Sequence, residues 1–325
     1  MSINVIKPGL ATAIQDKGRE GYYHLGIPPS GAMDQYSMTL ANLLVNNDEG
    51  DAVLECALLG PELLFQQDTI VAVCGARMSP KVDGAVMPLN TSFLIKAGQT
   101  LSFAYPTAGA RAYLAVAGGI DVPMTLGSRA TYTLGALGGY QGRRLEAGDE
   151  LPIGKPKKAA KEGQHLPTEC IPPIEKEMPL RMITGMYIHR LTDDAVERFF
   201  EDTWTVGSEA DRIGYRFKGG RAMEFKPRQQ PFGAGSDPSN IVDACYPIGS
   251  IQIPAGKEPI VLHRDAVSGG GYATIGTVIS ADMDLIGQMQ PNYKTHFVPV
   301  NMAEALEARQ LKQQQLDKVR HYLKI

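Results

Sequence analysis

Glycine and proline punctuate this chain too often for long regular elements: 35 Gly and 22 Pro stand among 325 residues. Gly frees the backbone for turns and Pro removes a ladder donor, so each cluster of them ends the element before it. The short apolar runs left between the breaks read as strands at 3–5, 52–54, 70–73, 92–95, 101–104, 111–117, 180–182, 251–253, 260–262 and 297–299. Many short strands separated by turn signals predict a mainly β protein of barrels or sandwiches, with no regular βαβ alternation. Three stretches read as helices. Residues 32–46 follow Ser30-Gly31 and end at Asn46-Asn47, and 193–200 follow Thr192, a side chain suited to an N-cap. The tail 302–323 places Leu306, Leu311, Leu316, Val319 and Leu323 near helical spacing, without a sustained heptad, so it reads as a packing face on its own chain.

The length accommodates two domains. A β-rich first half closes at 149–154, and the Pro- and Lys-rich stretch 155–179 reads as an exposed linker, giving an N-terminal domain 1–154 and a C-terminal domain 180–325. A net charge of −3 argues against a nucleic-acid partner. No apolar run approaches the roughly 20 residues of a membrane span, and the first residues lack a signal-peptide core, so no membrane association and a cytoplasmic location are expected. Cys56, Cys74, Cys170 and Cys245 are widely spaced, with no Cys-x-x-Cys pair. They read as buried or half-buried thiols, and no metal site is expected.

Chemistry concentrates in one stretch. The runs Pro247–Pro254 and Pro259–Asp265 are followed by Ser268-Gly269-Gly270-Gly271-Tyr272, so apolar strands end in a Gln, an Asp and bare backbone. This pattern fits the floor and rim of a small-molecule site in which the glycines adopt positive φ and admit a ligand to the main chain; it fits a buried hairpin equally well. Asp265 either accepts a bond from a substrate nitrogen or caps its turn. Arg212 either clamps an anion with its planar fork or pairs with Asp211 or another acid. Gln252, between Ile251 and Ile253, faces opposite to both. Tyr272 touches a ligand or finishes a barrel rim, and Arg129, after Gly127-Ser128, lines a cleft or an interface. Asp16 and Arg19 read as partners of each other or as caps of the first barrel, and Asp34 as a first-turn helix residue suited to the dipole. His24 and His263 read as structural histidines. There is no G-x-x-x-x-G-K-[ST] loop, no dinucleotide fingerprint, no G-x-S-x-G elbow and no Met-Lys-Met carrier site.

The segments Gln15–Gly21, Gly26–Asp34, Arg111–Pro123, Leu126–Arg129 and Asp211–Arg216, followed in order by 249–272, resemble the KipA family. That family is also known as the C-type subunits of 5-oxoprolinase or as allophanate hydrolase subunit 2, and it is similar to the C-terminal half of the urea carboxylase carboxyltransferase domain. The resemblance implies two cyclophilin-like β-barrel domains, a few short helices and a C-terminal helix. It implies a KipI-type partner and a LamB/YcsF-type partner, which together with this chain open 5-oxoproline to glutamate with ATP used by the complex. Under that reading Asp265 and Arg212 are catalytic, and Gln252, Gly270, Gly271, Tyr272 and Arg129 bind a small amide substrate. Asp16, Arg19 and Asp34 are then structural or at an interface. An alternative is a biotin-dependent carboxyltransferase module acting on urea or a related amide; another is a non-enzymatic antagonist of a KipI-like kinase inhibitor. Where the family usually reads Gln-Thr-Thr-Gly-Gly-Tyr this chain has Val267-Ser268-Gly269-Gly270-Gly271-Tyr272, and Asp243 replaces a Ser. If the missing Gln and Thr had held substrate, an unsatisfied buried partner would cost about 1–3 kcal/mol.

Overall fold

Alternation of side chains across a pleated strand decides where the first core lies. In the strands Val53–Ala57, Thr69–Gly75 and Arg111–Val116, one set of residues (Leu54, Cys56, Val71, Val73, Leu114, Val116) faces a core shared with Ile3, Leu63, Phe65 and Leu101. The intervening set (Val53, Ala72, Cys74, Tyr113, Ala115) faces a second core built with the first helix. Burial on both faces is why these strands are apolar almost without interruption. The computed structural model describes residues 2–325. Its α-helices are α1 (Gln35–Leu44), α2 (Asp193–Glu201), α3 (Met283–Gln288) and α4 (Met302–Leu323), and the rest of the regular structure is strand apart from short 3-10 turns. The protein is mainly β.

Two compact units divide the chain. The first comprises 1–21, 29–174 and 313–325, and the second 22–28 and 175–312. In the first unit a six-stranded and a five-stranded sheet enclose one core, and α1 covers the outer face of the five-stranded sheet. Asp34 is the N-cap of α1, one position before the first turn, and accepts from the amide and hydroxyl of Ser37 at 2.8 and 2.6 Å. Glu55, buried beneath that terminus, accepts from the Met33 amide (2.8 Å) and the Tyr113 hydroxyl (2.9 Å). The stretch 155–174, read above as an exposed linker, is largely exposed through 165 but is part of this unit. The Ser92 carbonyl accepts the Gly163 amide, and the Ser92 amide donates to the Gln164 carbonyl. Leu166 and Cys170 are buried, because their apolar side chains complete the α1 core.

In the second unit an eight-stranded mixed sheet runs from Lys294–Thr295 at one end to Phe297–Pro299 at the other. Only His296 separates these two end strands along the chain, so the sheet comes back on itself as a nearly closed barrel. Closure removes the free edges an open sheet would expose. Phe297 stacks on Phe199 of α2 (4.8 Å between centroids), and Phe217 meets Phe297 edge-on, which fills the barrel end with aromatic area. A separate two-stranded ribbon, Asn240–Cys245 with Gly269–Tyr272, carries the glycine run. Cys245 lies exposed on it; the ribbon's outer face has no layer over it to bury the thiol expected inside.

Candidate active site

The glycine run adopts a conformation other than the expected one. Gly269, Gly270 and Gly271 form an extended strand and none has positive φ. Their value is steric: a Cβ at Gly270 would stand 2.9 Å from Cε2 of Tyr246. Tyr246, buried, seals the ribbon with its hydroxyl, which accepts from the Tyr272 amide (2.7 Å) and donates to the Tyr272 carbonyl (2.8 Å). The Gln252 side chain bonds the same hydroxyl, so Gln252 is an inward, nearly buried group and no part of a solvent face. Burial pushes the Tyr246 phenol above its ordinary pKa and keeps it a neutral donor. Because the ribbon has two strands, the second edge of Gly269–Tyr272 has no strand partner among the described residues. That edge is half-buried along the glycines, and a strand edge without a partner strand presents backbone N–H and C=O groups.

Arg212 and Asp265 are brought together, and to each other. Arg212 donates through Nε to Oδ2 (2.7 Å) and through Nη2 to Oδ1 (3.1 Å) of Asp265, and its carbonyl accepts the Asp265 amide at 2.8 Å. With side chains 17% and 7% exposed, this is a largely buried bidentate pair. Asp211 is not the partner of Arg212; it accepts from the Ile213 and Gly214 amides and closes its own turn. Asp265 leads through Ala266, which packs on Tyr246, into Val267 and the ribbon. His263 is fully buried, with one ring nitrogen on the Met283 carbonyl (3.1 Å) and the other accepting the Arg264 amide (2.9 Å), so both are occupied structurally.

Tyr23 was not singled out from sequence, yet its hydroxyl reaches the Tyr246 carbonyl (2.8 Å) and the Val267 carbonyl (3.0 Å). It sits at the tip of a loop whose neck is drawn tight where Arg19 donates its amide to the Pro29 carbonyl at 2.7 Å. Gly31 (φ 84°) is required there, because a Cβ would meet the Lys17 carbonyl carbon at 2.8 Å. The Gly-bounded pattern of 18–31 marks a shaped loop, but only tertiary contacts identify Tyr23 and Tyr246.

The remaining sequence candidates belong to the first unit. Asp16 and Arg19 do not pair. Asp16 accepts from the Gly18 amide and the Ser128 hydroxyl (both 2.7 Å) and from the Arg129 amide (2.6 Å), while Arg19 donates to the Ala130 carbonyl. Both therefore fasten the same 128–130 segment. Arg129 extends from it to Asp121 (2.6 Å) and the Val122 carbonyl (2.6 Å), lining a polar cavity of about 170 Å³ with Asn47, Asp51 and Lys155. Where the chain departs from the usual motif, Val267 and Asp243 are exposed and Gly269 is half-buried in its strand. A Gln absent from the exposed position 267 leaves no buried partner stranded, so the expected penalty does not arise there. Among the described residues no cluster of metal-ligating side chains occurs, and no helix is long and apolar enough to cross a membrane.

The chain as a whole is similar to proteins of known family. The family model of the carboxyltransferase domain, subdomain A and B, matches residues 25–299. Urea amidolyase of Saccharomyces cerevisiae is 36% identical over 97% of this chain, which spans only 17% of that protein. The C-type 5-oxoprolinase subunit of Escherichia coli is 34% identical over 98% of this chain and 97% of its own length. The crystal structure of Kluyveromyces lactis urea carboxylase superimposes with a TM-score of 0.91 at 35% identity, over 99% of this chain and 29% of the other.

Proposed function

This chain belongs to the family of carboxyltransferase domains composed of subdomains A and B, and from that premise we propose that it binds a small amide as the C-type component of a 5-oxoprolinase complex. The observation that carries the reading is the bare backbone edge of Gly269–Gly271, sealed from behind by Tyr246. A lactam presents one C=O and one N–H side by side, and an open strand edge presents their complements. The amide of this edge that faces away from Asn240–Cys245, already fixed by the ribbon, stabilises charge that develops on the lactam oxygen when the ring is activated. Gln252 and Tyr272 bound the same region. Arg212 and Asp265 form a bidentate pair, so we assign it to positioning: it holds the turn that launches the strand and sets its distance from Tyr246. Kinship with the C-type 5-oxoprolinase subunit of E. coli along nearly all of both chains supports this substrate class.

In this reading the KipI-type and LamB/YcsF-type partners complete the ATP-dependent reaction. Carboxyl transfer to urea, with biotin supplied on a separate carrier, is supported by the near-equal identity to urea amidolyase. The two readings separate by product. The chain, mixed with KipI-type and LamB/YcsF-type partners, ATP and 5-oxoproline, is expected to release glutamate. Carboxylated urea formed from a carboxybiotinyl carrier, with no glutamate, would replace the first reading by the second. A stable complex forming neither product would leave the non-enzymatic antagonist role.

A further inference from the structure

Arg129 lines a polar cavity of about 170 Å³ that lies wholly within the first unit, with Asp51 and Lys155 among its walls. Part of the floor is bare backbone. A Cβ at Gly118 would stand 2.1 Å from the Gly154 carbonyl oxygen, so the two segments meet main chain to main chain. Several groups of the lining are already spent. The Asn47 carbonyl accepts the Gly118 amide at 2.8 Å, and its NH2 donates to the Asn42 side chain and the Val116 carbonyl. Lys157 is paired with Asp48. Arg129 is spent on one edge only: Nε donates to the Val122 carbonyl and Nη2 to Asp121, both at 2.6 Å, so Nη1 remains for another acceptor. Oδ2 of Asp51 accepts the Asp48 amide at 2.9 Å, and among the described residues no base pairs with Asp51 and no acid with Lys155. Burial holds the half-buried Asp51 carboxyl above its ordinary range, against the opposing pull of the Asp48 amide, Lys157 and Arg129.

What is left unspent is donor-rich: Nη1 of Arg129 and the Lys155 ammonium, with Oδ1 of Asp51 as the one acceptor. A metal ion would meet two cations for one carboxylate oxygen. An anion without hydrogen would satisfy the cations and face Asp51 with nothing to donate, because an ionised carboxylate only accepts. A zwitterionic amino acid would bring an ammonium, with three more donors, to a cavity short of acceptors. An ion with several oxygens and one O–H answers all three groups at once. We propose that this cavity binds a small protonated oxyanion, hydrogen phosphate or hydrogen carbonate, with Arg129 and Lys155 donating to its oxygens and Asp51 accepting from its O–H. Charge-assisted bonds of this kind are the strong ones, and the volume, well below that of pockets for larger ligands, suits a single compact ion. The assignment is independent of the amide reading, since none of its residues belongs to the glycine ribbon.

Isothermal titration calorimetry of the full chain, at low salt and mildly alkaline pH, tests the assignment with inorganic phosphate, hydrogen carbonate, sulfate and glycine. Phosphate and hydrogen carbonate keep one proton under these conditions; sulfate, with the shape of phosphate, has none. Phosphate or hydrogen carbonate is expected to bind at least about tenfold more tightly than sulfate, which leaves Asp51 without a donor. The tighter of the two identifies the ion. Asp51→Asn, whose amide donates to sulfate while its oxygen keeps the Asp48 amide, is expected to erase that preference. Lys155→Ala, at an exposed side chain, should weaken all three oxyanions about fivefold or more, with circular dichroism unchanged from the parent. Sulfate binding as tightly as the protonated ions, glycine binding more tightly than any of them, no oxyanion binding at all, or an oxyanion affinity indifferent to both substitutions would overturn the proposal.

Discussion

At the scale of single residues, charges in this protein are spent mainly on fixing backbone. Asp16 ties three donors around the 128–130 segment, and Asp265 uses both oxygens on Arg212. Asp265→Ala removes a bidentate, largely buried partner of Arg212 and is expected to cost about 2–3 kcal/mol. The double variant with Arg212→Ala should lose clearly less than the sum of the two single changes; additive losses in urea denaturation would mean that the pair does not couple. Asp149 shows the same economy with a pH signature. The Arg143 guanidinium bonded to its carboxyl (2.8 Å on each oxygen) holds its pKa below the usual Asp value. A depressed folded-state pKa stabilises above the unfolded value and is lost as pH falls through the folded one. Stability should therefore drop as pH is lowered below about 4, and Arg143→Gln should flatten that part of a pH series of urea midpoints. Asp265 was legible as the end of an apolar run before the glycines, and Arg212 as a planar fork with an acid for a partner. That they neutralise each other was not, since 53 positions separate them along the chain.

At the scale of elements, the ends and crossings of secondary structure carry the specificity. Helix α1 begins where Asp34 caps it, and Asp34→Ala is expected to cost about 1–2 kcal/mol, measurable as a lower urea midpoint at unchanged slope. The glycine ribbon depends on closeness, not on unusual torsions. Gly270→Ala puts a methyl against the Tyr246 ring, with an expected loss of about 1–3 kcal/mol and displacement of the Tyr246 hydroxyl from Tyr272. Gly271→Ala, whose Cβ would stand 3.3 Å from the Ile241 carbonyl, should cost less; equal losses would refute the tyrosine seal. The tail helix and Asp193–Glu201 were readable from periodicity and capping. The ribbon strand Gly269–Tyr272 was not, because three glycines carry no β signal and only pairing with Asn240–Cys245 makes them a strand.

At the scale of the whole molecule, the chain does not build its units from contiguous halves. Residues 22–28 belong to the second unit and 313–325 to the first, so α4 begins in one and ends in the other. Val319, near the end of that helix, is fully buried in the core that α1 shares with the five-stranded sheet. Val319→Ala should lower the stability of the first unit by about 2 kcal/mol; a thermal melt unchanged from the parent would show that the tail is dispensable there. Local order along the chain determined the mainly β class, the alternation of the doubly buried strands and the stretch that holds the candidate site, because strand period, turn residues and caps act between near neighbours. Closure of the eight-stranded sheet, the Arg212–Asp265 pair, the reach of Tyr23 to Tyr246, and the gathering of Asp51, Arg129 and Lys155 about one cavity were decided only by the tertiary structure. Each joins residues far apart in sequence, and no local propensity encodes which distant partner will satisfy a buried charge or hydroxyl.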